Sequence, residues 1–526
     1  MNQLVKTLTG LCFLMFCTTA HTQVIDVQHY HLEITLNDTT DVIAGKARLF
    51  IRFTEKAQPF QLDLTELSYD KKGMTVARVT ENGQEVAFEH QNAVLKIQPK
   101  TDNKDLFRTY EITYSGIPVD GLIIAKNLYG DRTFFGDNWP DRARHWFPCV
   151  DHPSDKATFE FVVTAPDHYQ VVANGVQIEE TNIADGVKLS HWKTNVAIPT
   201  KVAVIGVARF AIQYLGEIHD VPVSSWVYPQ NREKGFYDYA IAEKVLDYFI
   251  EHVGPYPYGK IANVQSKTRF GGMENASNIF YFEASVTGNR DHEDLIAHEL
   301  AHQWFGNSAT ETDWAHIWLS EGFATYFTDL YIEHVHGRDA FVARMQKERE
   351  QVIDFSKRSQ SPVVDTKTKD YMKLLNPNSY QKGAWVLHML RHKIGDDYFW
   401  QGIHSYYQKY ALSNASTADF QQVMETISGQ NLDAFFQQWL HTGGNPVLQK
   451  SWTFQKSMVH LDISQVQKSD AVFQFPLTVK VIGEDGQSTT KTVQVTKAEQ
   501  SFDINVNFKP REVVLDPDTW LLYEEK

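Results

Sequence analysis

The chain has 526 residues, 42% of them hydrophobic and 13% aromatic, which is too long for one ordinary domain and rich enough to build about three packed cores. Its formal net charge of -15 and pI near 5.8 argue against nucleic acid or an anionic membrane surface as a partner.

The first twenty residues read as a targeting segment rather than as part of a fold. Lys6 supplies a small positive region, Leu8 to Cys17 is a short apolar stretch, and Thr18 to Ala20 offers small residues for cleavage. An apolar run this short does not span a bilayer, so a secretory signal peptide over 1–20 is expected, and no later stretch is long enough for a transmembrane helix. Of the three cysteines, Cys12 and Cys17 would leave with that segment. Only Cys149 would remain, so no intrachain disulfide is possible in the mature chain. An exported protein of this size without disulfides suits a bacterial periplasm, or secretion from a bacterium, better than an animal cell surface.

From about residue 24 to 215 apolar and polar residues alternate, as in "HYHLEITL" (29–36), "KARLFIRF" (46–53) and "ATFEFVVTA" (157–165). The pairs Asn82-Gly83 and Asn174-Gly175 read as hairpin turns. An N-terminal β domain over 21–230 is expected. After "VYPQNREKG" the period changes to that of helices, most of them ending in glycine, with a strand-like insert near "KIANVQSKTRFGG". This gives a mostly helical domain over 231–445. Alternation returns in "FPLTVKVIG", "TKTVQVT" and "SFDINVNF", predicting a C-terminal β-sandwich over 446–526. The fold class is thus multidomain α+β.

Within the helical third, "IAHELAHQWFG" (296–306) places His298 and His302 one helical turn apart on one face, with Glu299 beside them. Asp291 is expected to cap this helix, with Asp294 as its acidic partner. Two imidazoles converge on one ion, but a catalytic metal of this kind takes a third protein ligand and leaves a position open for water. Glu321, in "WLSEGFATYF", supplies the ligand if a turn and an antiparallel helix follow. The expected centre is one zinc ion on His298, His302 and Glu321. His292, His334 and His336 read as surface or helix-end residues. The group His145, Cys149, Asp151 and His152 raises a second metal or a thiol nucleophile, but Cys149 reads better as a small buried hydrophobe.

"RFGGMENASN" (269–278) precedes this helix. Two glycines in a strand let another backbone come close, so an extended peptide could add there as a strand. Glu274 then offers a carboxylate to a free α-ammonium, although by spacing alone it reads equally as an exposed acid at a strand end.

"GGMEN", "HELAH", "EGFA" and "YQKGA" (380–384), in this order, resemble the gluzincin aminopeptidase family of membrane alanyl aminopeptidase, bacterial aminopeptidase N and leukotriene hydrolase. The opening strand and "RHWFPCVDHPSDKATFEF" are also similar to that family, so the resemblance covers nearly the whole mature chain. It implies a thermolysin-like, mostly helical zinc catalytic domain and an aminopeptidase acting on peptides with a free N-terminus. It further implies that Glu299 is the general base, that Gly271, Gly272, Met273, Glu274 and Asn275 form the substrate-binding motif, and that Tyr380 stabilises the oxyanion. Without the resemblance Tyr380 reads as an ordinary aromatic at a helix start. The alternative activity is a thermolysin-like endopeptidase. Two departures stand out. Aligned on "FPCVD", Trp139 falls where the family carries a Gln or Glu that helps bind the substrate amine, with Asp137 or Asn138 as candidate substitutes. The text also stops after the β tail, where many relatives continue into a helical domain, and a more open cleft is the expectation. Phe270 stands where relatives line the first side-chain pocket.

Overall fold

A computed structural model describes residues 24–100 and 106–526; the expected signal segment lies outside the described residues. The alternating N-terminal segments form strands with one buried face, as in Ile43–Phe53, where buried and exposed positions strictly alternate. They assemble into a nine-stranded sheet. At its centre, Ile25–Thr35 pairs antiparallel with Ile43–Phe53 and parallel with Lys156–Pro166, which in turn pairs with Val187–Lys193. A four-stranded sheet packs with it around a core that includes Tyr30, Phe147, Phe159 and Trp146.

Of the two expected hairpin turns, Asn82-Gly83 joins the antiparallel strands Gly73–Glu81 and Gln84–Glu85, both residues having positive φ. Asn174-Gly175 does something else. The strand before it, Gln170–Ala173, pairs in the four-stranded sheet, and the strand after it, Val176–Ala184, pairs in the nine-stranded one. The turn switches sheets, held by Asn174 Nδ2 donating to the carbonyls of Val202 and Ala276.

The boundary expected at 230/231 falls inside a unit that the chain builds as one sheet. Strands Ala211–Ile218 and Val221–Val227 join Ile261–Ser266, Asn278–Phe282 and the short edge strand Gly272–Met273 in a five-stranded sheet. Alternation identifies strands but not the sheet they enter, so the change of rhythm follows this sheet's first two strands. Helices Arg232–Tyr239, Ala242–His252 and Glu293–Ala301 pack on it, and Trp318–His336, Arg338–Ser356 and Gly383–Ile394 pack around the last of these. Beyond them, a four-stranded and a three-stranded sheet form the C-terminal sandwich. Its apolar residues share one continuous core with the helices, so that Trp385 and Leu390 belong to the same cluster as Leu461, Val479 and Leu522.

The two large cores meet along a polar seam. Lys156 Nζ donates to the carbonyls of Asn307, Ser308 and Ser413, and Lys201 makes a buried ion pair with Glu311 at 2.5 Å. Cys149 is fully buried in the N-terminal core, and burial pushes its thiol well above the usual range, as expected for an inert hydrophobe rather than a nucleophile. No described helix is long and apolar enough to cross a membrane.

Candidate active site

His298 and His302 lie on the helix Glu293–Ala301 and the turn that closes it. Asp291 does not cap this helix: His292 occupies the N-cap position without a side-chain cap, and Asp294 accepts from the Leu295 N–H and from Arg344 Nη1. The entry is held from outside instead, where Asp238 accepts the N–H groups of Thr287, Gly288 and Arg290. Glu321 sits in the first turn of Trp318–His336 and faces both imidazoles. Its Oε2 is 3.5 Å from His298 Nε2 and 3.2 Å from His302 Nε2, and the two Nε2 atoms are 3.1 Å apart. Donors bonded to one tetrahedral ion at about 2.0–2.1 Å stand roughly 3.3 Å from one another. His302 Nδ1–H donates to the Phe305 carbonyl, which directs the Nε2 lone pair at the cluster.

The electrostatics ask for a cation. Burial disfavours a charged His302, yet the Glu321 carboxylate outweighs this and holds it at about 9. Burial also opposes ionisation of Glu321, but His302 and His298 keep it well below the usual range. A shared proton satisfies this cluster in the absence of an ion, and a divalent metal with two imidazoles and a carboxylate satisfies it better. The donor set fits a metal of the zinc class.

Around the cluster, a small cavity of about 50 Å³ is lined by Trp139, Phe270, Gly272, Met273, Glu274, Glu299, Leu375 and Tyr380. This is room for an ion and a water or an amino group. Glu299 is almost fully buried, and burial, with Glu274 and Glu321 nearby, pushes its pKa well above the carboxylate range. Gly272 lies directly against it: a Cβ there would stand 2.2 Å from Glu299 Oε1. Glu274 is not the exposed strand-end acid that its spacing allows. It is 5% exposed, its pKa is raised by burial, and its Oε1 has no hydrogen-bond partner. Its backbone is fixed by Gln303 Nε2 and Asn307 Nδ2, which both donate to the Glu274 carbonyl. Neither residue was legible as functional; both follow the histidine motif, and only the fold brings them to "GGMEN".

Tyr380 lies on a π-helical turn, Asn378–Lys382, that runs into Gly383–Ile394, and its ring stacks on His298 with centroids 6.0 Å apart. Burial and the nearby Glu321 push its pKa well above 10, so the phenol stays a hydrogen-bond donor. Tyr380 and Glu321 are placed relative to each other by a backbone crossing. Gly322, which follows Glu321, meets Gly383 so closely that a Cβ on either would stand 2.8 Å from the other's Cα.

Asn275 is fully buried and does not line the cavity, and Gly271 lies at the open end, its carbonyl accepting from Phe282 N–H. Neither proposed substitute for the missing amine ligand faces the cavity. Asp137 is spent on Arg142 Nη2 and the Arg269 N–H, and Asn138 donates to Thr200 and Ala203 and accepts from Trp146. Trp139 itself is in the wall, packed edge-on against Phe270 and Trp314. This part of the wall is therefore apolar.

A buried His-His-Glu cluster with an adjacent glutamate, set between a β domain and a helical domain, defines a metallopeptidase-type site. Comparison with known proteins agrees: residues 26–202 match the peptidase M1 N-terminal domain and residues 237–439 match the peptidase family M1 domain. The chain belongs to peptidase family M1. It is similar to probable aminopeptidase 2 of Sulfurisphaera tokodaii (26% identity, 86% of this chain and 59% of the relative) and to human glutamyl aminopeptidase (30%, 59% and 34%). It is also similar to tricorn protease-interacting factor F2 of Thermoplasma acidophilum (26%, 85% and 58%). The chain thus spans between a third and three fifths of the length of these relatives.

Proposed function

We propose that this chain is an aminopeptidase that releases N-terminal residues from peptides, with one zinc ion on His298, His302 and Glu321. The observation that carries this reading is the buried Glu274 Oε1, an acceptor with no partner in the same cavity as the His-His-Glu cluster. A buried carboxylate without a partner is costly, and a substrate α-ammonium removes that cost. Bound there, zinc supplies a Lewis acid that polarises the scissile carbonyl and lowers the pKa of a coordinated water.

The chain's own residues do the rest. Edge strand Gly272–Met273 offers its free backbone groups to the extended substrate. Glu274 fixes the amino end, which sets how far the peptide enters. Glu299 takes a proton from the attacking water and returns it to the leaving amine. The Tyr380 O–H donates to the oxyanion as the carbonyl becomes tetrahedral. The remaining peptide leaves past His298 and Tyr380 into a second cavity of about 320 Å³ lined by Thr325, Arg344, Lys347 and Gln351. The apolar wall of Trp139 and Phe270 receives the first side chain. The apolar stretch at 8–17 supports export to a bacterial periplasm or medium.

The test is a panel of aminoacyl chromogenic substrates and their N-acetylated forms, with and without chelator, on the wild type and Glu299→Gln. Free-amine substrates should be cleaved, chelator should stop them, and Glu299→Gln should keep its metal while losing about 10²–10⁴-fold in turnover. Equal cleavage of acetylated and free substrates would overturn the aminopeptidase reading in favour of an endopeptidase. A near-normal rate in Glu299→Gln would remove the general base.

A further inference from the structure

The outer face of the nine-stranded sheet carries a second group of metal-ligating side chains that peptide hydrolysis does not use. The parallel pairing of Ile25–Thr35 with Lys156–Pro166 sets His31 opposite Glu160 and His29 opposite Thr158, on the same face. Val187–Lys193 pairs with the other edge of Lys156–Pro166 and brings His191 opposite Val162, one step along that face. Three imidazoles thereby surround one carboxylate. His31 Nδ1 is 2.9 Å from Glu160 Oε2, His191 Nε2 is 3.4 Å from the same oxygen, and His29 Nε2 is 3.9 Å from Oε1. The donor atoms of His29, His31 and Glu160 all lie within 4.8 Å of one another.

We propose that His29, His31 and Glu160, with His191 beside them, form a second divalent-metal site, for an ion of the zinc, nickel or copper class, on the N-terminal sheet. The separations of His31 and His29 from Glu160 bracket the roughly 3.3 Å expected between donors of a tetrahedral ion bonded at about 2.0–2.1 Å. Outer partners orient the rings as at known imidazole sites. His29 Nδ1 is held by Thr158 Oγ1 at 2.7 Å, leaving Nε2 for the ion, and His31 Nε2 faces Glu33 at 3.5 Å, leaving Nδ1. His191 Nε2 approaches Glu160 Oε2 at 3.4 Å without a hydrogen bond and lies beside the group rather than within it. Lys193 is the competing cation, with Nζ 2.5 Å from Glu160 Oε1. Its side chain is about half exposed, so it swings into solvent when an ion enters. The ion would tie the first described strand to two strands far from it in sequence. Imidazole donors select the borderline ions over calcium or magnesium.

The experiment uses the full chain, stripped with chelator, equilibrated with zinc chloride and passed over a desalting column, with zinc and protein then measured. The wild type should hold one more zinc per chain than His29→Ala/His31→Ala, with equal peptidase rates. Zinc should raise the Tm of the wild type more than that of the double variant. His31→Gln, which preserves the size of the side chain, should also lose the extra ion if the double variant folds poorly. Lys193→Met should keep the ion and bind it about tenfold tighter. A His298→Ala/His302→Ala variant should retain it, which separates this site from the catalytic one. Equal zinc content in the wild type, His29→Ala/His31→Ala and His31→Gln would overturn the proposal, and so would an extra ion that all of these variants retain.

Discussion

Gly272→Ala tests the contact on which the base depends. The edge strand presses Gly272 against Glu299, and an added Cβ would stand 2.2 Å from Oε1, 2.4 Å from Cδ and 2.5 Å from Cγ. Ordinary carbon contacts lie near 3.5 Å or beyond, so the carboxylate must move by about 1 Å or more. The displaced atoms belong to one side-chain end, not to the backbone, so the chain refolds around the change at a cost of about 1–3 kcal/mol. Displacing a catalytic group by about 1 Å costs roughly 10²-fold, equivalent to about 2.7 kcal/mol of barrier. The assay is kcat on an alanyl or leucyl anilide, read beside zinc content and Tm. The expected result is a fall in kcat of at least 10²-fold at unchanged zinc content. Gly271→Ala is the comparison, because its Cβ would meet only Leu295 Cδ1 at 3.8 Å, an ordinary contact. A several-fold loss at most is expected there. If Gly272→Ala kept kcat within threefold of wild type, or if the two alanines behaved alike, the argument that Gly272 sets the position of Glu299 would fail.

Glu274→Ala removes the buried acceptor and should cost free-amine substrates about 2–4 kcal/mol in kcat/KM, roughly thirty- to a thousandfold, while any residual hydrolysis of acetylated peptides stays unchanged. A parallel loss on both substrate sets would refute an amine anchor. Gly383→Ala should lower Tm and turnover together, because its Cβ meets the Gly322 backbone at 2.8 Å and no flexible side chain can give way; an unchanged Tm would contradict the crossing described above. Asp155 is buried, with Oδ1 accepting from Val27 N–H and Oδ2 unpartnered, and burial raises it to about 8. The native state thus keeps a proton that the unfolded chain loses near pH 4, so this group's contribution to stability falls as pH rises from about 4 to about 8. Asp155→Asn should raise Tm more at pH 8 than at pH 5, and a gain independent of pH between those values would show the reasoning wrong.

What the sequence disclosed of this site follows from period. His298, Glu299 and His302 lie within one helical stretch, where the spacing alone sets which side chains share a face, and Glu321 follows after a connection that contains the short strand Ala309–Glu311 and a 3-10 turn. Glu274 and Tyr380 were legible only through their motifs. No local pattern distinguishes an acid at a strand end that faces solvent from one that faces a cleft, and the π-helical turn carrying Tyr380 breaks the helical period at the point of interest. Gln303 and Asn307 escaped notice because their task, holding the Glu274 carbonyl, depends on a contact 29 and 33 residues away. The same limit hid the histidines of the N-terminal sheet. His31 and Glu160 are separated by 129 residues, and only a parallel strand pairing makes them neighbours. Alternation predicted the strands of His29, His31 and Glu160 but not their partners.

The glycines of the motifs show why these short segments occur together. Each motif contributes one group to the chemistry and one close approach to the next motif. "GGMEN" carries Glu274 and also Gly272, which touches the base of "HELAH". "EGFA" carries Glu321 and also Gly322, which lies on Gly383 of "YQKGA" beside Tyr380. The proposed amine anchor is thereby tied to the proposed base through a glycine resting on the Glu299 side chain, and the proposed metal ligand to the proposed oxyanion donor through a backbone-on-backbone contact with almost no freedom to adjust. Side chains drift by rotating, but a backbone resting on a backbone does not, and a reaction that loses about 10²-fold per ångström of misplacement favours this kind of support. The two halves of the site also face each other at the metal cluster, where Glu321 from one half faces His298 and His302 from the other. An ion there is accordingly a structural link as well as a reagent: its removal should loosen the distance between Glu299 and Tyr380 while leaving each of the two glycine contacts intact.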